Sequence, residues 1–351
     1  MFRKRKDLVG VDVGSYAVKM VQISEGKTGH KLENLGMALV PHEAVLEGRI
    51  ERPEIVADIL RKLAKNLKIK PGPIAASVSG YEVMIRKIEM PTMTEQELSA
   101  RLRQEIAQYV PYQLDEVNVD YEILDVSKGR AKFMDVLLVA AKKEAVASYA
   151  SMLRTAGFEP VIIDVDYFAL SNAFEATYGV FAEENIALMD IGASKTTMTI
   201  VQTGRPLFTR DMTFGGHSMT HRIATELEIP LENAERIKLG LGADSVDRTR
   251  LEKAFVETLT EWTTDIKRAL DFFFTHIPEA KLHKLFLSGG SARIPGLEKF
   301  LEAELGIPTQ VCNPLQHLEV DAGRFDQAYL EQIGPQMTIG LGLALRRAGD
   351  K

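Results

Sequence analysis

The sequence predicts an α/β protein of two lobes, each built on the same mixed-sheet core, with a small α+β insert in the first. Three observations carry that prediction. The chain has 351 residues, above the size at which a single hydrophobic core stops growing. The runs LVGVDVGSYAVKMVQIS at 8–24 and NIALMDIGASKTTMTIV at 185–201 share one outline, an apolar strand, an Asp-x-Gly turn and a second apolar strand. Between them, residues 81–160 change texture to a β-α-β-β-α succession.

In chain order, strands at 8–13 and 16–23 flank the first turn, and a third lies near 31–40. Ile55, Ile59, Leu63 and Leu67 recur at steps of four and predict the buried face of a helix over 54–67. Pro71-Gly72-Pro73 breaks the chain before a strand at 74–79. In the insert, strand 83–89 precedes Thr94 and Glu97, a capping box that opens a helix with Leu98, Leu102 and Ile106 inward. Strands 117–125 and 133–141 and a helix at 143–156, closed by Gly157, complete it. The second half restarts the first pattern with strands at 186–190, 196–201 and 206–212. Helices at 217–228 and 231–239 follow, then a long helix at 250–275 whose stripe runs from Leu251 through Trp262 to Phe273. Strand 284–288 runs into SGGSARIPG and a helix ending near Leu305.

The change of texture bounds a small α+β insert at 81–160.

Composition narrows the function classes. A 45% hydrophobic and 26% charged chain is an ordinary globular one. Its net charge of −6 argues against nucleic acid as a partner. The chain lacks an apolar run long enough for a membrane span, and MFRKRK is followed by LVGVDVGS rather than a secretory core. The C-terminal GLALRRAGDK is a poor amphipathic anchor, so direct membrane insertion is not expected. A single cysteine, Cys312, excludes internal disulfides and multi-thiolate zinc sites. The expected location is cytoplasmic, with any membrane association made through a partner.

One Asp-x-Gly turn is ordinary turn chemistry, since Gly accepts positive φ and Asp caps amides. Two equivalent turns in separate halves ask for more. Glycines at 14 and 192 let backbone approach a polyphosphate, with turn amides forming an anion nest. Asp12 and Asp190 would be repelled by phosphate, so their natural role is to hold Mg²⁺ through water. Ser15 and Thr196 offer hydroxyls and Lys19 a positive charge, and two facing hairpins would clamp a triphosphate. The pair Gly289-Gly290 lets backbone pass flat against a nucleoside beside Ser291 and Arg293, or merely permits close packing. Glu235 and Lys238, three apart, form either a surface ion pair or a ribose carboxylate beside an adenine-contacting lysine. His217 and His221 lack the Glu of a zinc helix and read as surface residues. Gly240-x-Gly242 and Gly340-x-Gly342 read as helix ends or close packing.

Together these pieces resemble the actin-like ATPase superfamily, whose ribonuclease H-like fold closes two lobes around a nucleotide cleft. That resemblance implies a first lobe core (1–80 with 161–185), the insert (81–160), a second lobe core (186–220 with 284–351) and a helical subdomain (221–283). DVGSYAVK is similar to the superfamily's phosphate-1 motif and implies Asp12, Gly14, Ser15, Tyr16 and Lys19 as nucleotide contacts. MDIGASKTTMTIV is similar to phosphate-2 and implies Asp190, Gly192, Ser194, Lys195 and Thr196, with Gly215 and Gly216 as a backbone turn nearby. AERIKLGLG resembles a ribose/adenine helix, implying Glu235 and Lys238. LFLSGGSARIPGLEKFLEAELGIP resembles the adenosine motif, implying Gly289, Gly290, Ser291 and Arg293. The implied cofactors are ATP and Mg²⁺.

Within that superfamily the chain resembles the PilM family of type IV pilus assembly, on LVGVDVGSYAVKMVQI and the insert run IEMPTMTEQELSARLRQEIAQYVPYQLDEVNVDYEIL. The insert is similar to the relocated subdomain of FtsA. That resemblance implies a scaffold at the inner membrane whose groove, between insert and first lobe, takes the cytoplasmic N-terminal tail of PilN. It also implies contacts with motor ATPases and platform proteins, and leaves a homo-oligomer or ring open. Two departures set the expectation for hydrolysis. In IIDVDYFALSNAF the alignment puts Val165 at the catalytic carboxylate, and strand alternation turns Asp164 and Asp166 away. In phosphate-2, Ala193 and Ser194 replace two glycines. The expectation is slow or no hydrolysis and no catalytic residue, with an active ATPase or an FtsA/MreB-like filament former as the alternative.

Overall fold

The computed structural model describes residues 8–27, 29–126 and 132–350. The first lobe opens with β1 (Val9–Val13), β2 (Ala17–Glu25) and β3 (His30–Leu39), followed by the short pair β4 (Val45–Leu46) and β5 (Arg49–Ile50). Helix α1 (Pro53–Asn66) and β6 (Pro73–Val78) come next. The insert holds β7 (Val83–Pro91), α2 (Glu95–Glu105), β8 (Val117–Val126), β9 (Phe133–Lys142) and α3 (Lys143–Thr155). The chain returns through β10 (Glu159–Val165) and α4 (Asp166–Tyr178). The second lobe contains β11 (Asn185–Ile191), β12 (Thr196–Gln202), β13 (Arg205–Met212), α5 (Gly216–Leu227), α6 (Leu231–Lys238) and α7 (Arg248–His276). It ends with β14 (Leu282–Ser288), α8 (Leu297–Leu305), β15 (Thr309–Val311), α9 (Gln327–Ile333) and α10 (Thr338–Ala344).

The duplication seen in sequence is a duplication of topology. The sheets run β3-β2-β1-β6-β10 and β13-β12-β11-β14-β15, each an antiparallel meander continued by two parallel strands. The hairpins match in register. Asp12 faces Lys19 and Val13 faces Val18, while Asp190 faces Thr197 and Ile191 faces Thr196. Each turn closes the same way, with the Gly14 amide on the Ala17 carbonyl at 3.1 Å and the Gly192 amide on the Lys195 carbonyl at 2.9 Å.

Packing departs from the linear reading in three places. On α1 the buried residues are Val56, Ala57, Leu60, Leu63 and Ala64, whereas Ile55 is exposed and Ile59 only half-buried. Steps of four drift around a helix of 3.6 residues per turn, and the predicted stripe follows that drift rather than the face. Helix α3 sends Tyr149, Met152 and Leu153 into the first lobe's core with Leu60 and Ile74, not into the insert. The insert's own core is α2, through Leu98, Leu102 and Ile106, on the β7-β9-β8 sheet, and the Thr94–Glu97 capping box forms.

The third departure is the C-terminal segment, placed by sequence in the second lobe. Leu330, Met337 and Leu341 bury against Val21, Ile23 and Leu32 of the first lobe's sheet. Helix α10 lies so close to α4 that a Cβ on Gly342 would sit 1.8 Å from the Ala169 carbonyl oxygen. Close packing, the alternative left open for Gly340-x-Gly342, is what these glycines serve. Among the described residues no helix is long and apolar enough to cross a membrane.

Candidate functional site

The two hairpin tips face one another across a cleft of about 310 Å³ between the lobes, within the ~300–1,000 Å³ range of small-molecule sites. Asp12, Gly14, Ser15, Tyr16 and Lys19 line it from the first hairpin, and Asp190, Gly192, Ser194 and Lys195 from the second. The tips touch, with Ser15 Oγ 2.7 Å from Ser194 Oγ. The amides of Gly14 and Gly192 are spent closing their own turns. An anion nest at these tips must therefore be drawn from the residues between, 15–16 and 193–194.

Charge is concentrated and buried here. Lys19 Nζ donates to Asp12 Oδ2 at 2.6 Å, and Asp190 Oδ2 accepts from Ser288 Oγ at 2.9 Å. Burial raises the Asp190 pKa to about 6; Lys19 opposes the rise and the like charge of Asp12 adds to it. Burial works against the Lys19 ammonium, yet the Asp12 carboxylate holds its pKa above the ordinary value.

Asp166 corrects the expectation that both acids beside Val165 turn away. It is the first residue of α4, so strand alternation has ended, and its carboxylate lines the cleft. Asp166 Oδ1 accepts from Ser77 Oγ at 2.6 Å and Oδ2 from Lys195 Nζ at 3.0 Å, and Lys195 also donates to Ser79 Oγ. Burial pushes the Asp166 pKa up, but Lys195 and the serines outweigh it and hold the acid ionised. Asp164 does point elsewhere, toward Arg346 Nε at 3.5 Å. Val165 is buried, as expected for a strand residue.

At the other end of the cleft, Glu235 and Lys238 do not form a surface pair. Lys238 is 3% exposed, with Nζ 2.6 Å from Glu235 Oε2, 3.0 Å from Thr220 Oγ1 and 3.3 Å from the Gly216 carbonyl. Desolvation lowers its pKa despite the Glu235 charge. Gly289, Gly290, Ser291 and Arg293 line the same end, and Ser291 Oγ donates to the Gly192 carbonyl at 3.0 Å. Gly289 has φ +86, and a Cβ there would meet the Ile191 carbonyl oxygen at 2.5 Å. That glycine is required by the fold. Gly290 differs, since a Cβ would meet only Gln336 Oε1 at 3.6 Å.

Three sequence candidates are brought behind the wall rather than onto it. Thr196 is fully buried and donates to the Phe214 carbonyl at 2.9 Å, because its register partner Ile191 turns the same face to the core. Gly215 and Gly216 back the second turn. The Gly216 amide reaches the Gly192 carbonyl at 2.9 Å, and a Cβ on Gly215 would meet the Ala193 carbonyl oxygen at 2.6 Å. The structure adds Met37, Ser79, Tyr329, Gln332 and Gln336 to the lining. No motif flags them, since Met37 comes from β3, Ser79 from the end of β6, and Tyr329, Gln332 and Gln336 from α9 and the turn after it. His217 packs its ring 4.9 Å from His42 of the other lobe, with His221 6.3 Å away. Among the described residues, no three acidic, His or Cys side chains are grouped to hold a metal.

Comparison with known proteins places this geometry. A family model described as "Type IV pilus assembly protein PilM" matches residues 10–348. A solved structure, "PilM-PilN type IV pilus biogenesis complex", is 29% identical with a TM-score of 0.86, covering 97% of this chain and 98% of that one. Cell division protein FtsA of Bacillus subtilis (strain 168) is 23% identical over 379 residues, covering 95% of this chain and 82% of that protein. In fold alone, MreB 5 of Spiroplasma citri bound to AMPPNP is similar, at 14% identity and TM-score 0.53 over 88% of this chain and 92% of that one. The fold is that of the actin-like ATPases, and the chain belongs to the PilM family of type IV pilus assembly proteins.

Proposed function

We propose that the cleft binds ATP with Mg²⁺ and that the loaded chain is a scaffold of the pilus assembly platform, taking the cytoplasmic N-terminal tail of PilN and hydrolysing ATP slowly or not at all. The observation that carries the nucleotide half is the pair of register-matched hairpins, each aiming one aspartate at the same cleft. In this reading Asp12 and Asp190 hold Mg²⁺ through water. The donor set suits that role, because a divalent cation offsets both the repulsion between the two acids and the burial that raises Asp190. Residues 14–16 and 192–195 contact the phosphates. Glu235 and Lys238 take the ribose and base end with Gly290, Ser291 and Arg293.

The partner half rests on likeness to the PilM–PilN complex and on the seam between insert and first lobe. There Tyr81 and Leu46 are exposed, Tyr112 Oη donates to the Tyr81 carbonyl at 3.3 Å, and Arg49 lies 3.7 Å from Glu82. Exposed aromatic and aliphatic side chains at a seam suit an extended peptide. Such a partner would place the chain at the inner membrane without insertion, within reach of platform proteins and motor ATPases. Nucleotide that favours one lobe arrangement would shift the population toward the form presenting the groove.

Titration calorimetry of Mg·ATP and of a synthetic PilN-type tail, the latter with and without ATP, tests both halves. Asp190→Ala should abolish ATP binding; unchanged affinity would remove the cleft assignment. A tail that binds under neither condition removes the partner.

Asp166 favours a second reading, an active ATPase, because it puts a carboxylate into the cleft where Val165 cannot. Its two oxygens are already committed to Ser77 and Lys195, which supports slow turnover. A steady-state rate above roughly 1 s⁻¹, inside the usual enzyme range, would decide for the enzyme.

A further inference from the structure

The run RKLAKNLKIK at 61–70, the last turns of α1 and the bend after it, divides cleanly by burial. Leu63, Ala64 and Ile69 are buried, and Leu67 packs on Gly36 of β3. Of its six exposed residues five are cationic, Arg61, Lys62, Lys65, Lys68 and Lys70, and the sixth is Asn66. The chain as a whole carries −6, so this end of the first lobe stands out against an otherwise acidic molecule. One lysine in the last turn would serve the helix dipole; five charges exceed that need. The run is also held firmly. The Lys68 amide bonds to the Lys65 carbonyl at 3.1 Å and the Ile69 amide to the Ala64 carbonyl at 2.9 Å, a Schellman cap with Lys68 at φ +57.

Few acids answer these cations. Asp58 takes both Arg61, at 3.2 Å, and Lys62, at 2.7 Å. Lys65, Lys68 and Lys70 have no ion-pair partner among the described residues. Arg61 also donates to the Thr155 carbonyl at 2.9 Å, which brings the end of α3, with its exposed Arg154, to the same place. Glu159, which opens β10 opposite Pro73, is a further acid at this end of the sheet. From the run, β6 leads to Ser79 in the cleft over about 20 Å of strand. The patch therefore lies at the end of the lobe away from the nucleotide site.

What the run lacks says what it can meet. It exposes no aromatic side chain on which a base could stack, and no apolar one that could centre a protein interface. A face of cations alone matches a layer of negative headgroups, whose charge is spread rather than placed. Resting on the platform reading above, which brings the chain to a membrane through its partner, we propose that this end of the first lobe docks on an anionic phospholipid surface. Each Lys or Arg close to such a surface strengthens binding roughly 5-fold. Five of them make a weak, reversible contact, one that orients a chain already tethered by its partner and inserts nothing into the bilayer.

Flotation of the full chain with vesicles of equal parts phosphatidylglycerol and phosphatidylcholine, against phosphatidylcholine alone, tests the proposal. Binding is expected on the anionic vesicles only, and should fall as salt is raised. Lys65→Gln, Lys68→Gln and Lys70→Gln together should weaken it on the order of 100-fold, while Arg at the same three positions keeps it. All three residues are exposed and unpaired, so the melting temperature should not move. A control triple on the second lobe, Lys253→Gln, Lys267→Gln and Lys299→Gln, removes the same charge from exposed sites elsewhere and should have little effect. No binding to anionic vesicles, equal binding to neutral ones, or equal losses in the two Gln triples overturns the proposal. So does a DNA duplex bound at least as tightly as the vesicles, which would make the run a nucleic-acid site. The PilN-type tail is assayed separately: its failure to bind removes the platform reading, whereas loss of vesicle binding alone removes only this one.

Discussion

Ser15 Oγ and Ser194 Oγ lie 2.7 Å apart, joining the tips of two hairpins 179 residues distant in sequence. This hydroxyl pair is a direct measure of how the lobes approach each other. A neutral hydrogen bond of this kind contributes about 0.5–1.5 kcal/mol. Ser15→Ala and Ser194→Ala should each lose about that much, and the double variant no more than either single, because one bond is lost in every case. Denaturant midpoints of the four proteins provide the cycle; additive losses would mean the two hydroxyls do not meet in solution.

Two glycines separate fold from ligand. Gly342→Ala drives a Cβ to 1.8 Å from the Ala169 carbonyl oxygen, a backbone atom that cannot turn aside. It should cost more than about 3 kcal/mol, with a matching fall in melting temperature. Gly290→Ala meets only the end of Gln336 at 3.6 Å. Its melting temperature should stay near the parent's while ATP affinity drops, and unchanged affinity would show that Gly290 serves packing alone.

Asp190 supplies a pH signature of the nucleotide-free protein. Its folded pKa, about 6, stands above the ordinary 3.8. Between those values the folded chain binds more protons than the unfolded one, so this group's contribution to stability falls as pH rises from about 4 to 6. The whole effect is at most about 3 kcal/mol. Comparing unfolding free energies of the parent and Asp190→Asn across that window, with chelator present, should show the slope difference. Mg·ATP should reverse it in the parent, because the bound cation favours the ionised acid.

Lys238 is buried and its ion-pair partner Glu235 is partly exposed, so breaking the pair strands the lysine's site more than the acid's. Lys238→Met removes the cation and leaves Glu235 with Thr220, whose hydroxyl lies 2.5 Å from Oε2. An unmatched, fully buried carboxylate costs about 3–5 kcal/mol, and Glu235, with 21% of its side chain exposed, should cost less. Lys238→Met with Glu235→Gln should recover much of that loss in thermal unfolding, though not ATP affinity. Failure to recover would point to the packing of the lysine stem instead.

The hairpins were legible because their signals are local. Alternating apolar strands, an Asp and a turn-closing Gly repeat within a few residues at 12–14 and again at 190–192. The insert's capping box and the stripe of the long helix were legible for the same reason. Val56 and Leu60 were missed because counting by four tracks a line that winds around the helix.

Sequence by itself thus determined the doubled core, the glycines that close its turns and the residues set at each hairpin tip, since backbone geometry and side-chain period act over one or two turns of chain. Tertiary structure alone decided that Asp166 enters the cleft, that Lys195 crosses to it, that Lys238 is buried and that α10 packs on the first lobe. Each of those outcomes depends on which distant groups arrive to pair a charge or to cover an apolar face. Such partners are set by the closing of the fold around a low-dielectric cleft, and no local pattern encodes them.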